Sequence, residues 1–226
     1  MPAALGLVAT VLSIAVIWPQ VWLSCRHGRT AGLSPSAAWL AAPLNLSWLV
    51  VGLLIADPAQ VVTNTVVGAG NTAVLAALLL ARPDLRTGRA LLRTASCAAG
   101  LTAVTAGCTG AVLLLGVAPS GAADVLAAVA AVVGAAAALP QPLALLRDRG
   151  QDLSGMSPVR WWLGAGSCAA WAGYGAVADQ SLMALSAAVG LACALVTLAV
   201  VSGRRPLAPV VALAARRPRP RLAAAA

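Results

Sequence analysis

The chain has 226 residues, of which 61% are hydrophobic and 9% charged, with a mean hydropathy of +0.90 and a net charge of +9. An ordinary soluble domain carries about 25% charged residues, so the composition excludes one and points to a protein that crosses the bilayer several times. All 15 basic residues are arginine, and without a lysine there is no retinal Schiff base.

About 20 mostly apolar residues cross the ~30 Å of hydrocarbon, and seven stretches meet that length. The first, 3–23, carries Pro19-Gln20 near its end. It is expected to be retained, because "MPAALGLVAT" lacks the basic start of a cleaved signal. Arg26 and Arg29 follow. The second, 35–56, opens at Ser34-Pro35 and contains Trp39, Asn45, Ser47 and Trp48. The third, 59–81, places Asn64 and Asn71 on one helix face. Arg82, Arg86, Arg89 and Arg93 surround the turn into the fourth, 91–117. The fifth, 122–146, holds Pro140-Gln141. Arg147, Arg149 and Arg160 lie between it and the sixth, 158–178, which carries Trp162 and Trp171. The seventh is 181–202, and the remainder, 203–226, is a basic tail expected to be disordered.

Every arginine falls on one side of this plan, while the opposite loops "ADPAQ", "APSGAAD" and "ADQS" have none. The arginine side is therefore expected to be cytoplasmic, with the N-terminus outside and the C-terminus inside. Topology accounts for the net charge, so no nucleic-acid partner is expected. The tail can touch anionic membrane lipid, a solvated tail being the simpler reading. The expected location is a bacterial plasma membrane.

The stretch "WPQVWLSCRHGRTAGLSPSAAWL" returns as "LPQPLALLRDRGQDLSGMSPVRWWL". Pro19-Gln20 matches Pro140-Gln141 and Arg26 matches Arg147 at an offset of 121. A longer loop then moves the offset to 123, at which Ser34-Pro35, Trp39, Trp48 and Gly52 match Ser157-Pro158, Trp162, Trp171 and Gly175. Chance similarity among alanines does not explain matches in Pro, Gln, Trp and Gly. Each repeat holds three spans with a fourth between them, so both enter the membrane in the same direction. The expected units are 1–82, a linker helix in 83–120, and 121–202. Parallel repeats related by an axis along the membrane normal place a site at their interface near mid-bilayer.

On these residues the sequence resembles the PQ-loop superfamily and, within it, the SWEET and SemiSWEET sugar transporters. The motifs are the two "PQ" pairs, "TAGLSP" and "LSGMSP", "WLVVG" and "WAGYG", and "TNTVVG", and the resemblance covers 3–202. It implies an all-α membrane protein of seven transmembrane helices, two parallel three-helix-bundle repeats joined by a linker helix (3+1+3). It also implies an inner gate of four prolines, here Pro19, Pro35, Pro140 and Pro158. The implied mid-membrane pocket has aromatic residues in spans 2 and 6, here Trp48 and Trp171, and asparagines in spans 3 and 7. Asn64 fits; in span 7 the chain offers Ser186 or Ala187 instead, a departure from the family's pattern.

A proline frees a carbonyl one turn earlier and weakens the helix, and broken backbone at depth is tolerated where it lines a cavity. Gln20 and Gln141 can satisfy the freed groups or close a gate. Two equivalent copies favour a hinge over a static kink. Trp48 and Trp171 offer an apolar face and an N–H donor to a sugar ring, and both lie too deep in their spans for an interfacial belt. Asn64 reads as a pocket residue, Asn71 as interhelical packing. No carboxylate falls at mid-span, which favours a uniporter over proton coupling. With His27 alone in a basic loop, no nucleophile–base pair, carboxylate dyad or metal cluster is available, so neither an enzyme nor a cofactor is expected. The expected function is passive, alternating-access transport of a small neutral polar solute, a mono- or disaccharide first. The alternatives are a PQ-loop carrier of amino acids or other small solutes and a non-transporting receptor or chaperone on the same fold. Both repeats lie in one chain, so a monomer suffices for a complete route; a homo-oligomer is left open.

Overall fold

A computed structural model of the chain describes residues 2–30, 33–147 and 158–203. These form α-helices α1 (Pro2–Val21), α2 (Pro35–Leu54), α3 (Pro58–Ala81), α4 (Gly88–Leu115), α5 (Pro119–Ala138), α6 (Pro140–Arg147), α7 (Pro158–Val177) and α8 (Ser181–Gly203). Proline opens six of them, because at the first helical position its missing N–H is not needed and its φ is already helical. Among the described residues side chains cap two: Ser34 Oγ accepts from the Ala37 N–H at 3.4 Å, and Asp57 Oδ1 from the Ala59 and Gln60 N–H groups at 2.9 and 3.2 Å. Gly116, at φ 67°, ends α4 in the left-handed conformation that a Cβ resists.

Six helices among the described residues are long and apolar enough to cross a membrane: α1 with its continuation, α2, α3, α4, α5 and α8. α7 has the length, at 20 residues, but Arg160, Ser167, Tyr174, three tryptophans and four glycines dilute its apolarity. The first and fifth predicted spans differ from smooth helices. α1 runs through Pro19, which leaves the Ala15 carbonyl without its usual N–H, into a π-helical turn, Trp22–Arg26, one step beyond it. The expected span 122–146 is two helices, α5 and α6, meeting at Leu139. Pro140 and Pro142 have no N–H for the carbonyls of Ala136 and Ala138, while Leu139 and Leu143 keep bonds of 3.3 and 3.2 Å across the break.

The helices pack in two groups. α3 lies between α1 and α2; α8 contacts α5, α6 and α7. The groups meet along two seams, α1 against α7 and α2 against α5, and α4 lies across α2 and α5. Small residues dominate the close contacts, as in membrane bundles: Ala122, Ala123, Ala127, Ala130 and Ala131 of α5 are all buried. Of the tail expected over 203–226, only Gly203 is described, as the last residue of α8.

The turn between α2 and α3 is repeated between α7 and α8 at the offset of 123. The Asp57 N–H donates to Gly52 O at 2.8 Å, and the Gln180 N–H to Gly175 O at 2.8 Å. Ala56 and Asp179 both take the left-handed conformation, at φ 55° and 56°. A Cβ at Gly52 would stand 2.8 Å from Gln60 Cβ, and one at Gly175 2.8 Å from the Ala184 nitrogen. Only glycine allows the next helix to return this close.

Candidate functional site

Between the two helix groups the polar side chains collect in three layers. At the end formed by the α2–α3 and α7–α8 turns, Asp57 is 5% exposed and Gln60 1%. Asp57 Oδ2 accepts from Gln60 Nε2 (3.0 Å), Gln180 Nε2 (3.1 Å) and the Tyr174 hydroxyl (2.9 Å). Gln60 Nε2 also donates to Gln180 Oε1 at 2.7 Å. Burial pushes the Asp57 carboxyl up, but the bonds from Gln180, Gln60 and Tyr174 outweigh it and hold the group below the usual carboxylate range. One carboxylate thus ties both groups together at this end. Gln60 Oε1 is buried without a partner among the described residues.

At mid-helix, Ser13 Oγ of α1 lies 2.7 Å from Ser167 Oγ of α7, and Trp171 Nε1 donates to Ser13 Oγ at 2.9 Å. The Trp171 ring stands edge-on to Tyr174, with centroids 5.6 Å apart, a favoured aromatic geometry. Thr63 Oγ1 donates to Thr10 Oγ1 at 2.8 Å, joining α3 to α1. At the arginine-rich end, Arg160 Nη1 donates to Gln20 Oε1 at 2.9 Å, and Gln20 Nε2 donates to Ser24 Oγ at 2.8 Å. Gln20 therefore bridges α7 and the π-helical turn of α1.

The predicted residues fall as follows. Trp171 faces the α1–α7 seam with its N–H engaged by Ser13. Trp48 packs against Val51, Ala123, Leu126 and Ala127 at the α2–α5 seam. The two tryptophans therefore sit on the two opposite seams. Asn64 Nδ2 donates to Gln60 O of its own helix at 2.9 Å, which leaves its side-chain oxygen to other donors. Ser186 of α8 faces α5, its Oγ 3.9 Å from a Cβ built on Gly134. Pro19 is inside α1, whereas Pro35 is the first residue of α2. Pro140 and Pro158 begin α6 and α7, with Gln141 second in α6; the side chains of Pro140, Gln141 and Pro158 lie outside the described residues.

The sequence reading missed Asp57, Gln60, Tyr174 and Gln180 as a cluster. The signal was there: carrying the 123 offset five residues beyond Gly52 and Gly175 pairs Asp57 with Gln180. It also missed Pro43, inside α2 and buried, and Ser13, Ser167 and Arg160. An apolar groove of about 490 Å³ between α2 and α4, lined by Leu46, Val50, Thr102, Thr109 and Leu113 among others, lies elsewhere. Val50 borders both this groove and the cluster against which Trp48 packs.

Residues 1–60 match the family model described as the PQ loop repeat. No curated protein matches the chain by sequence. Its fold is similar to that of a eukaryotic SWEET transporter solved at 3.7 Å resolution, with a TM-score of 0.64 and 19% identity, covering 89% of this chain and 95% of that one. With its apolar helices, this makes the chain an integral membrane protein.

Proposed function

From a SWEET-like fold whose first 60 residues match the PQ loop repeat, we propose that the protein is an alternating-access transporter for a small neutral polar solute, a mono- or disaccharide first. The observation that carries this reading is the buried Asp57 cluster. A carboxylate accepting from Tyr174 and Gln180 of the other helix group is a bond set that closes the interface at one end and must break to open it there. Midway along the same interface stand Trp48 and Trp171, matched across the repeat, with Ser13 and Ser167 beside Trp171. Aromatic faces with hydroxyl partners suit the C–H and O–H surfaces of a sugar. The four expected gate prolines lie toward the arginine-rich end.

In this reading α7 is the sixth of seven spans, shielded by α1 and α8 despite its lower apolarity. α1–α3 and α5–α8 are parallel repeats, with α4 restoring direction between them. The arginine-rich end is cytoplasmic by the positive-inside rule, so the Asp57 end is external and the closed gate is the outer one. Among the described carboxylates Asp57, Asp84 and Asp179 lie in turns and Asp124 in the second turn of α5, none at mid-helix, which supports uniport over proton coupling.

The test is uptake of labelled glucose and sucrose into proteoliposomes, with and without an imposed pH gradient, by wild type and Trp48→Ala. Saturable sugar uptake, indifferent to pH and lost in the variant, is the expected result. Amino-acid flux driven by pH without sugar flux would replace the substrate class.

A further inference from the structure

The two seams occupy equivalent places in the repeat but differ in chemistry. The α1–α7 seam is hydrogen-bonded at two levels, Trp171–Ser13–Ser167 midway and Arg160–Gln20 toward the arginine-rich end; the Asp57–Gln180 bond joins the two equivalent turns and belongs to neither seam. The repeat offsets give the counterparts on the α2–α5 seam. Ser13 and Ser167 become Gly134 and Leu44, Thr10 becomes Ala131, Tyr174 becomes Val51, and Arg160 becomes Ala37. The contacts there are apolar. Leu44 and Ser186 each lie 3.9 Å from a Cβ built on Gly134, and Val51 packs with Ala123, Leu126 and Ala127. Among the described residues no side-chain hydrogen bond joins α2 to α5.

In a bilayer lipid tails are as apolar as the side chains, so interhelical hydrogen bonds add a directional tie that apolar contacts lack, and packed apolar surfaces slide. α4 lies across α2 and α5, so a seam that parted there would remain covered from lipid. We infer that the two seams do different jobs. The α1–α7 seam is the pivot about which the helix groups rotate, and the α2–α5 seam beneath α4 is the one that parts. The motion is lopsided, although the repeat that produces it is two-fold. Ser13, Ser167 and Arg160 are then positioning residues of the pivot. The two tryptophans are inequivalent, Trp171 belonging to the hinge line and Trp48 to the moving wall. This inference rests on the proposed transport reading for its purpose, but not for its measurement.

The test is pulsed electron–electron resonance on the full chain in nanodiscs, its native cysteines replaced and monodisperse elution confirming the fold. Spin labels go at exposed positions. Trp22 with Val159 and Leu7 with Val177 report the α1–α7 seam; Ser36 with Leu139 and Leu53 with Val125 report the α2–α5 seam. The expected result is a distance distribution at least about twofold broader, or split in two, at one or both α2–α5 pairs, with narrow distributions at both α1–α7 pairs. Equal spread at the two seams, wider spread at α1–α7, or narrow distances throughout would overturn the inference. In Ser13→Ala combined with Arg160→Ala, the α1–α7 spread is expected to rise to the α2–α5 value. An unchanged spread means these bonds are not what holds the pivot, and also overturns it. A lopsided distribution in a protein that moves no solute would sink the transport reading alone.

Discussion

Asp57 concentrates more polar contact than any other described side chain: two backbone N–H groups on Oδ1 and three side-chain donors on Oδ2. Asp57→Asn would turn one oxygen into a donor facing three donors. A loss of about 2–3 kcal/mol is expected for buried partners left unpaired, seen as a lower thermal midpoint of the purified protein. The pH dependence follows from the direction of the shift. The folded carboxyl is held below its ordinary value, so its contribution is complete above the unfolded pKa of about 4 and fades as pH falls through the lower folded value. Wild type should lose midpoint temperature on acidification below about pH 4 more steeply than Asp57→Asn; parallel curves would mean that the carboxylate does not hold this end. The paired glycines give a second contrast. Gly175→Ala sets a Cβ 2.8 Å from the Ala184 nitrogen, backbone that cannot yield, while Gly164→Ala meets nothing within 4 Å. The first is expected to cost about 1–3 kcal/mol and the second to leave the midpoint unchanged, as read by melting in detergent. At this scale the sequence was legible where a residue type is rare in an apolar run. Trp48, Trp171 and Asn64 stand out by type and depth. Ser13, Ser167 and Arg160 do not, because a serine in a membrane helix or an arginine at its end declares nothing until its partner on another helix is known.

Six of the helices were legible from apolar length, and Ser34-Pro35 marked a start that capping explains locally; α7 has the length without the apolarity. Two features were not. The break of the predicted fifth span at Leu139 and the π-helical turn after Pro19 both follow from a Pro-Gln pair, yet one copy interrupts the helix and the other widens it. The second proline in "PQP" removes a further N–H from α6, and "PQV" in α1 lacks it. That difference predicts the behaviour of Pro19→Ala. Alanine restores the N–H that Ala15 O lacks and straightens α1 toward Arg26. Thermal stability is expected to hold or rise while solute uptake falls about tenfold, as a stiffened hinge requires. A variant with full uptake would make Pro19 a static kink.

For the whole molecule, the doubled motif showed the repeat because matches in Pro, Gln, Trp and Gly survive an alanine-rich background. The repeat in turn indicates where the helix groups meet. It does not show how the seams differ, since that depends on pairs such as Ser13–Ser167 and Leu44–Gly134, contributed by helices distant in sequence. Nor does the net charge of +9 reveal that a buried carboxylate, Asp57, ties the two helix groups at the end away from the arginines. The central claim is that one solute site is exposed to each side in turn. Entrance counterflow tests it most directly: proteoliposomes loaded with unlabelled glucose are diluted into a trace of labelled glucose. Alternating access predicts that the internal label transiently overshoots its equilibrium level. A monotonic rise to equilibrium, as through an open channel, or no entry of label at all would contradict it.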